Sequence, residues 1–154
     1  MNKGEKAQYL FKQGYNCSQS VAIAFEEELG MERDMIAKIV SGFGGGMGRM
    51  REVCGCVSGM VFVISSLYGY SDPTDFDSKK VLYQRINDVA NSYKEINGSI
   101  ICKELLGLDK KDGIVPEKRT DAYYKKRPCS ELCKIAVDIL ENYIMNNPVN
   151  VKKQ

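Results

Sequence analysis

Apolar residues recur at helical spacing along most of the chain, and no stretch alternates with the period of a strand. Gly4 to Gln13 reads as a short amphipathic helix stopped by Gly14, and Asn16 is placed to cap a second helix running to about Leu29. On that helix Cys17, Val21, Ala24, Phe25 and Glu28 share a face, so Cys17 begins the inward side. A third helix is expected over Glu32 to Ser41, followed by a flexible loop from Gly42 to Arg51 that is nearly bare of side chains. The uncharged apolar stretch from Cys54 to Tyr68, closed by Gly69, predicts a helix covered on all sides by its neighbours. Beyond the turn at Ser71 to Asp75, a long helix from about Asp77 to Asn97 aligns Leu82, Ile86, Val89, Tyr93 and Ile96. Ser99 is expected to cap a short helix carrying Cys102, and Gly107 to Arg127 to form a polar loop. Pro128 with Ser130 and Glu131 then opens a last helix ending near Asn146, before Pro148. The pattern predicts an all-α fold, an irregular multi-helix bundle around a buried central helix, with residues 1–154 forming a single domain.

Composition agrees with a soluble globular chain, at 44% hydrophobic and 27% charged residues. A net charge of +2 gives no electrostatic case for nucleic acid or an anionic membrane. The basic runs Lys79-Lys80, Lys110-Lys111, Lys125-Lys126-Arg127 and Lys152-Lys153 are scattered and read as solvated surface. Val53 to Ser71 is uncharged and approaches bilayer-spanning length, but glycines and serines interrupt it, so no membrane insertion is expected. Met1 to Leu10 has no apolar signal core, which points to a mature N-terminus and a cytoplasmic protein whose thiols are reduced by default.

Against that background the six cysteines stand out, because the chain has no histidine. Imidazole bases, Cys-His pairs and His-ligated metals are therefore excluded. What remains is disulfide exchange, sulfur redox or an all-sulfur metal site. Cys17, Cys54, Cys102 and Cys129 each fall at the start of a different expected helix, where the backbone dipole favours a thiolate. That effect is worth about 0.3–1 kcal/mol when exposed, less than one pKa unit, so a reactive thiol also needs a nearby charge such as Arg49, Arg51 or Arg127. A single cysteine is often apolar filler, but four at helix starts argue for function. Cys54-Gly55-Cys56 can close a small labile disulfide if Cys54 lies in the loop, and Cys129 and Cys133 share a helical face. No zinc-finger knuckle pair, P-loop or G-x-G-x-x-G is present. The glycine loop instead reads as a backbone able to approach other helices, with amides available to a thiolate.

Five segments in order, Gly14-Tyr-Asn-Cys17-Ser-Gln, Ser41 to Gly48, Cys54-Gly-Cys-Val-Ser-Gly59, Cys102-Lys-Glu-Leu-Leu-Gly107 and Cys129-Ser-Glu-Leu, together resemble the bacterial and archaeal family named for its C-GCAxxG-C-C cysteine pattern. The resemblance places the family's motif cysteines at Cys17, Cys54, Cys102 and Cys129 and implies a redox role. Cys56 stands where the family usually has alanine and Cys133 where an aliphatic residue is usual, so these two look like additions. A similar domain in split-Soret cytochromes implies an iron–sulfur alternative, whereas the absence of a Cys-x-x-Cys-His site leaves haem out. Two functions lead, ahead of a helical adaptor with incidental thiols. In the first, Cys54 attacks and Cys17 or Cys56 resolves in thiol–disulfide chemistry with an unidentified redox partner, with Cys102 and Cys129 completing the cluster. In the second, Cys17, Cys54, Cys102 and Cys129 hold an iron–sulfur cluster or another thiophilic metal. The two additional thiols favour the first. The sequence indicates no oligomeric state.

Overall fold

A computed structural model describes residues 1–108 and 112–149; the basic pairs at 110–111 and 152–153 lie outside the described residues. Among the described residues nine regular helices carry the chain: α1 Lys3–Lys12, α2 Cys17–Ile23, α3 Glu26–Leu29, α4 Arg33–Val40, α5 Gly55–Tyr68, α6 Phe76–Asn97, α7 Cys102–Leu106, α8 Asp121–Lys126 and α9 Cys129–Asn146, with irregular helical turns at Ser41–Phe43 and Gly44–Met47. Among the described residues there is no sheet, and a lone antiparallel bridge joins Val53 to Ile101. The protein is all-α, and no described helix is long and apolar enough to cross a membrane.

Two capping boxes fix the first helices. Asn2 accepts from the Glu5 amide while the Glu5 carboxylate returns to the Asn2 amide, and Asn16 with Gln19 repeats the device immediately before Cys17. Each such cap is worth about 1 kcal/mol. The continuous second helix expected to Leu29 is instead broken at Phe25, whose φ of −107° and ψ of 21° leave the helical region. The break lets Phe25 enter the core at 1% exposure while Glu26 meets Lys6 and Arg33 outside it.

Helix α1 lies along α9, α2 packs on α5, and α9 also touches α2, α5 and α6. Phe11, Phe25, Met60, Ile64, Tyr93 and Leu140 fill the space between them. Helix α5 buries Gly55, Cys56, Val57, Gly59, Met60, Val63 and Ile64, but Ser66 is exposed and Phe62 is half-buried, so it is covered on one broad face rather than all round. On α6, Leu82, Val89 and Tyr93 are buried as the stripe requires, whereas Ile96 is 60% exposed. The expected loop from Gly107 to Arg127 contains α8, whose Thr120 cap accepts from the Tyr123 amide. Ile101, not Ser99, is the residue before α7; the Ser99 hydroxyl instead accepts from the Ile101 amide.

Candidate functional site

The glycine segment holds the site together through its own hydrogen bonds. The amides of Gly48, Arg49, Arg51 and Glu52 donate to the carbonyls of Gly42, Gly44, Gly45 and Gly46. Those four amides are thereby committed within the segment, which makes it an internally bonded turn. The turn needs left-handed backbone at Gly45 and Gly46, both with φ of 67°. A Cβ on Gly46 would lie 2.6 Å from the Cys102 Cβ, so bare backbone is required there for the loop to pass.

The bridge that follows sets two cysteines side by side. The Cys54 amide donates to the Ile100 carbonyl at 2.8 Å, and the Cys102 amide to the Glu52 carbonyl at 2.6 Å. Cys54 precedes α5 with φ of −54° and ψ of 136°, outside the helix, while Cys56 is inside it. Gly55 brings this pair onto α2: an added Cβ would sit 3.1 Å from the Cys17 Cβ and 3.2 Å from the Ser18 amide nitrogen.

From the other side α9 delivers Cys129 and Cys133, one turn apart. The sulfurs of Cys17, Cys56 and Cys133 all lie within 4.8 Å of one another. Cys56 Sγ donates to Cys133 Sγ at 3.7 Å, and Cys129 hydrogen-bonds to Cys17. Cys54 Sγ is 3.3 Å from the Tyr93 hydroxyl. Cys102 stands apart beside Arg51, whose Nη1 donates to its sulfur at 3.5 Å. All six thiols are free.

The thiols do not titrate alike. Hydrogen bonds from Cys129, then Cys133 and Cys56, hold the Cys17 thiol well below its ordinary range, against the cost of burial. Cys54 is also lowered, first by a hydrogen bond from Cys56, with burial and the Cys17 thiolate opposing. Cys129, Cys56 and Cys133 are raised, chiefly because each is hydrogen-bonded to a neighbouring sulfur that takes the charge instead. Burial raises Cys102 despite Arg51, and burial pushes Tyr123 up to about 12.

These directions correct the sequence expectation of how Cys54 is activated. Arg49 and Arg51 do not serve it. Both pair with Asp112, at 3.0 and 2.8 Å, and the pairing holds the Asp112 carboxyl down at about 2. Cys17 is the thiol with the fullest set of donors and, unlike the other five, is only half-buried.

Cys17, Cys54, Cys102 and Cys129 line one cavity of about 320 Å³, with the glycine turn on one side and Arg119, Tyr123 and Arg127 on another. Cys56 and Cys133 lie behind it with no solvent exposure. The four motif cysteines thus share a cavity, but the compact sulfur trio is Cys17, Cys56 and Cys133. Sequence reasoning did not include Cys133 among the site residues, although its spacing from Cys129 put it on the same face. It also gave Tyr93 only a packing role, with nothing in the stripe to mark its hydroxyl as a thiol partner.

The profile of the family described as "Putative redox-active protein (C_GCAxxG_C_C)" matches residues 15–143, and the chain belongs to that family. No curated protein and no solved structure matches it.

Proposed function

We propose that this protein performs thiol–disulfide exchange with Cys17 as the attacking thiol and Cys129 as the resolving one. The observation that carries the reading is the position of Cys17. It is a half-buried residue at the cavity wall, with the Cys56 and Cys133 sulfurs within 4.8 Å of its own and Cys129 the leading cause of its lowered pKa. A nucleophile needs thiolate character and access together; the lowered pKa of Cys17 supports the first and its place on the cavity wall the second. Cys54, the attacker expected from sequence, is 4% exposed and shares its sulfur with Tyr93.

The test is mild oxidation of the reduced protein with diamide, followed by peptide mapping under denaturing, thiol-blocked conditions. The expected product has lost two hydrogens and links Cys17 to Cys129. A first-formed bond that excludes Cys17 would overturn the assignment.

A second reading rests on the sulfur trio. Tetrahedral zinc at about 2.3 Å from each thiolate spaces its sulfurs about 3.8 Å apart. The 3.7 Å between Cys56 and Cys133, and the 4.8 Å limit on the trio, fit such a donor set. Cys17, Cys56 and Cys133 would hold a thiophilic ion, which would fix the thiolates and bring a Lewis-acid or electron-transfer centre. This is not the ligand set expected from sequence, since Cys102 is turned toward Arg51. Anaerobic purification with metal analysis distinguishes the readings: stoichiometric metal lost in Cys56→Ser and Cys133→Ser supports the second.

A further inference from the structure

The cavity in front of Cys17 is lined by four guanidinium groups, those of Arg49, Arg51, Arg119 and Arg127. Two carboxylates answer them. Asp112 pairs with Arg49 and Arg51, and Glu117 with Arg127. Four guanidinium groups against these two carboxylates and the Cys17 thiolate leave an excess of one positive charge around the cavity.

These arginines are not equivalent. Arg119 gives its Nη1 to the Phe11 carbonyl and its Nη2 to the Tyr15 carbonyl, and lies over the Phe11 ring at 4.4 Å, which makes it structural. Arg49 and Arg51 are occupied by Asp112. Arg127 differs. Its side chain is only 8% exposed, its Nη2 meets Glu117, and its buried Nε has no acceptor among the described residues. A buried donor left without an acceptor costs about 1–3 kcal/mol, more on a charged group. Two residues before Cys129 in the chain, the under-satisfied cation lines the same cavity as the thiols.

We propose that the cavity binds a small disulfide bearing a carboxylate, its anionic end on Arg127 and its sulfur facing Cys17. This rests on the thiol–disulfide reading. The apolar side chains of Leu106, Leu132 and Pro116 supply a wall for a short aliphatic or aromatic stem. At about 320 Å³ the cavity is at the lower end of the range for small-molecule sites, which favours a compact ligand over a folded protein disulfide. The chemistry balances. The Cys17 thiolate attacks one ligand sulfur, forming a mixed disulfide and expelling the other half as a thiolate. Cys129 then attacks the Cys17 sulfur, forming the Cys17–Cys129 bond and releasing the second half. The Cys17 thiolate supplies no proton; the Cys129 proton passes to one released thiolate and water supplies the other. One disulfide is reduced to two thiols as one dithiol is oxidised.

The test uses two probe disulfides, dianionic dithiobis(nitrobenzoate) and neutral dithiodipyridine. Each rate at Cys17 is divided by that of a short cysteine peptide, and the modified residue is identified by mass mapping. The expected result is a preference for the dianion of roughly tenfold that declines with salt. Arg127→Gln should abolish the preference while Glu117→Gln, which frees Arg127, should increase it. Two variants with opposite expected signs keep the test independent of a folding defect in either. Cys17 reacting first but without anionic preference, or with the preference unchanged in Arg127→Gln, overturns this inference and leaves the Cys17 assignment standing. Failure of both probes to modify Cys17 overturns both.

Discussion

At the scale of single residues, the chemistry of Cys17 depends on which neighbours keep their protons. Cys129 and Cys133 act as donors to the Cys17 sulfur and are raised chiefly by doing so, whereas Cys56 is raised first by its bond to Cys133. Removing the leading donor should therefore return Cys17 toward ordinary behaviour. In Cys129→Ala we expect the pH dependence of the iodoacetamide rate at Cys17 to move upward, toward the free-thiol value of about 8.5. Rate against pH, with Cys17 identified by mass mapping, measures it; an unchanged profile would refute the donor role. The direction also bears on stability. A thiol whose folded pKa is depressed contributes stability that is present above its unfolded pKa and is lost as pH falls through the folded value. Asp112 follows the same sign in a defined window. Its contribution is complete above its ordinary 3.8 and is lost as pH falls through about 2. The difference in unfolding midpoint between the parent and Asp112→Asn should accordingly shrink as pH falls from about 4 to about 2. Constancy across that range would mean that the ion pairs with Arg49 and Arg51 contribute little.

Among the elements, the glycine turn and the short bridge do most to place the thiols. Gly46 has a left-handed φ of 67° and its missing Cβ leaves room for Cys102 and the Glu52 amide, 2.6 and 2.7 Å from where a methyl would be. Gly46→Ala should destabilise the protein by about 1–3 kcal/mol through strain and the forced displacement of α7, read by denaturant unfolding. Gly48→Ala is the control, since its added Cβ meets nothing within 4 Å although its φ is also positive. A similar loss in both would assign the effect to backbone conformation alone. Much of this level was legible in the sequence. Asn16 before Cys17 and Pro128 before Cys129 carry local signals for helix starts, and both helices begin there. The break at Phe25 was not legible, because it follows from where the core accepts a phenyl ring, a property of the assembled bundle. Nor was the self-bonded glycine turn: a run of glycines shows freedom of φ, but not which carbonyls its amides will find.

In the whole molecule, sequence order and spatial order part company. Six cysteines spread over 117 positions of chain, from Cys17 to Cys133, come to one region because α2, α5 and α9 meet and the Val53–Ile101 bridge adds Cys102 beside them. The family motif indicated four of them together, and the cavity does gather those four; that two further cysteines would form the inner layer required knowing which faces of α5 and α9 oppose. Arg119 closes the arrangement by tying the connection before α8 to the carbonyls at the end of α1. Arg119→Gln should leave helical content unchanged by circular dichroism while trypsin cleavage within 112–127 becomes faster; loss of helix across the molecule would instead make Arg119 part of the global core. The depth ordering of the sulfurs has a temporal meaning. Cys56 and Cys133 have no solvent exposure, and the neighbouring Cys17 is the half-buried thiol between them and the cavity. A bond formed between the inner two would be unreachable to dissolved reductants except by relay through Cys17 or by opening of the bundle. Its lifetime would then be governed by that gate and not by reductant concentration, so the interior would retain a record of an oxidising event after the surroundings had recovered.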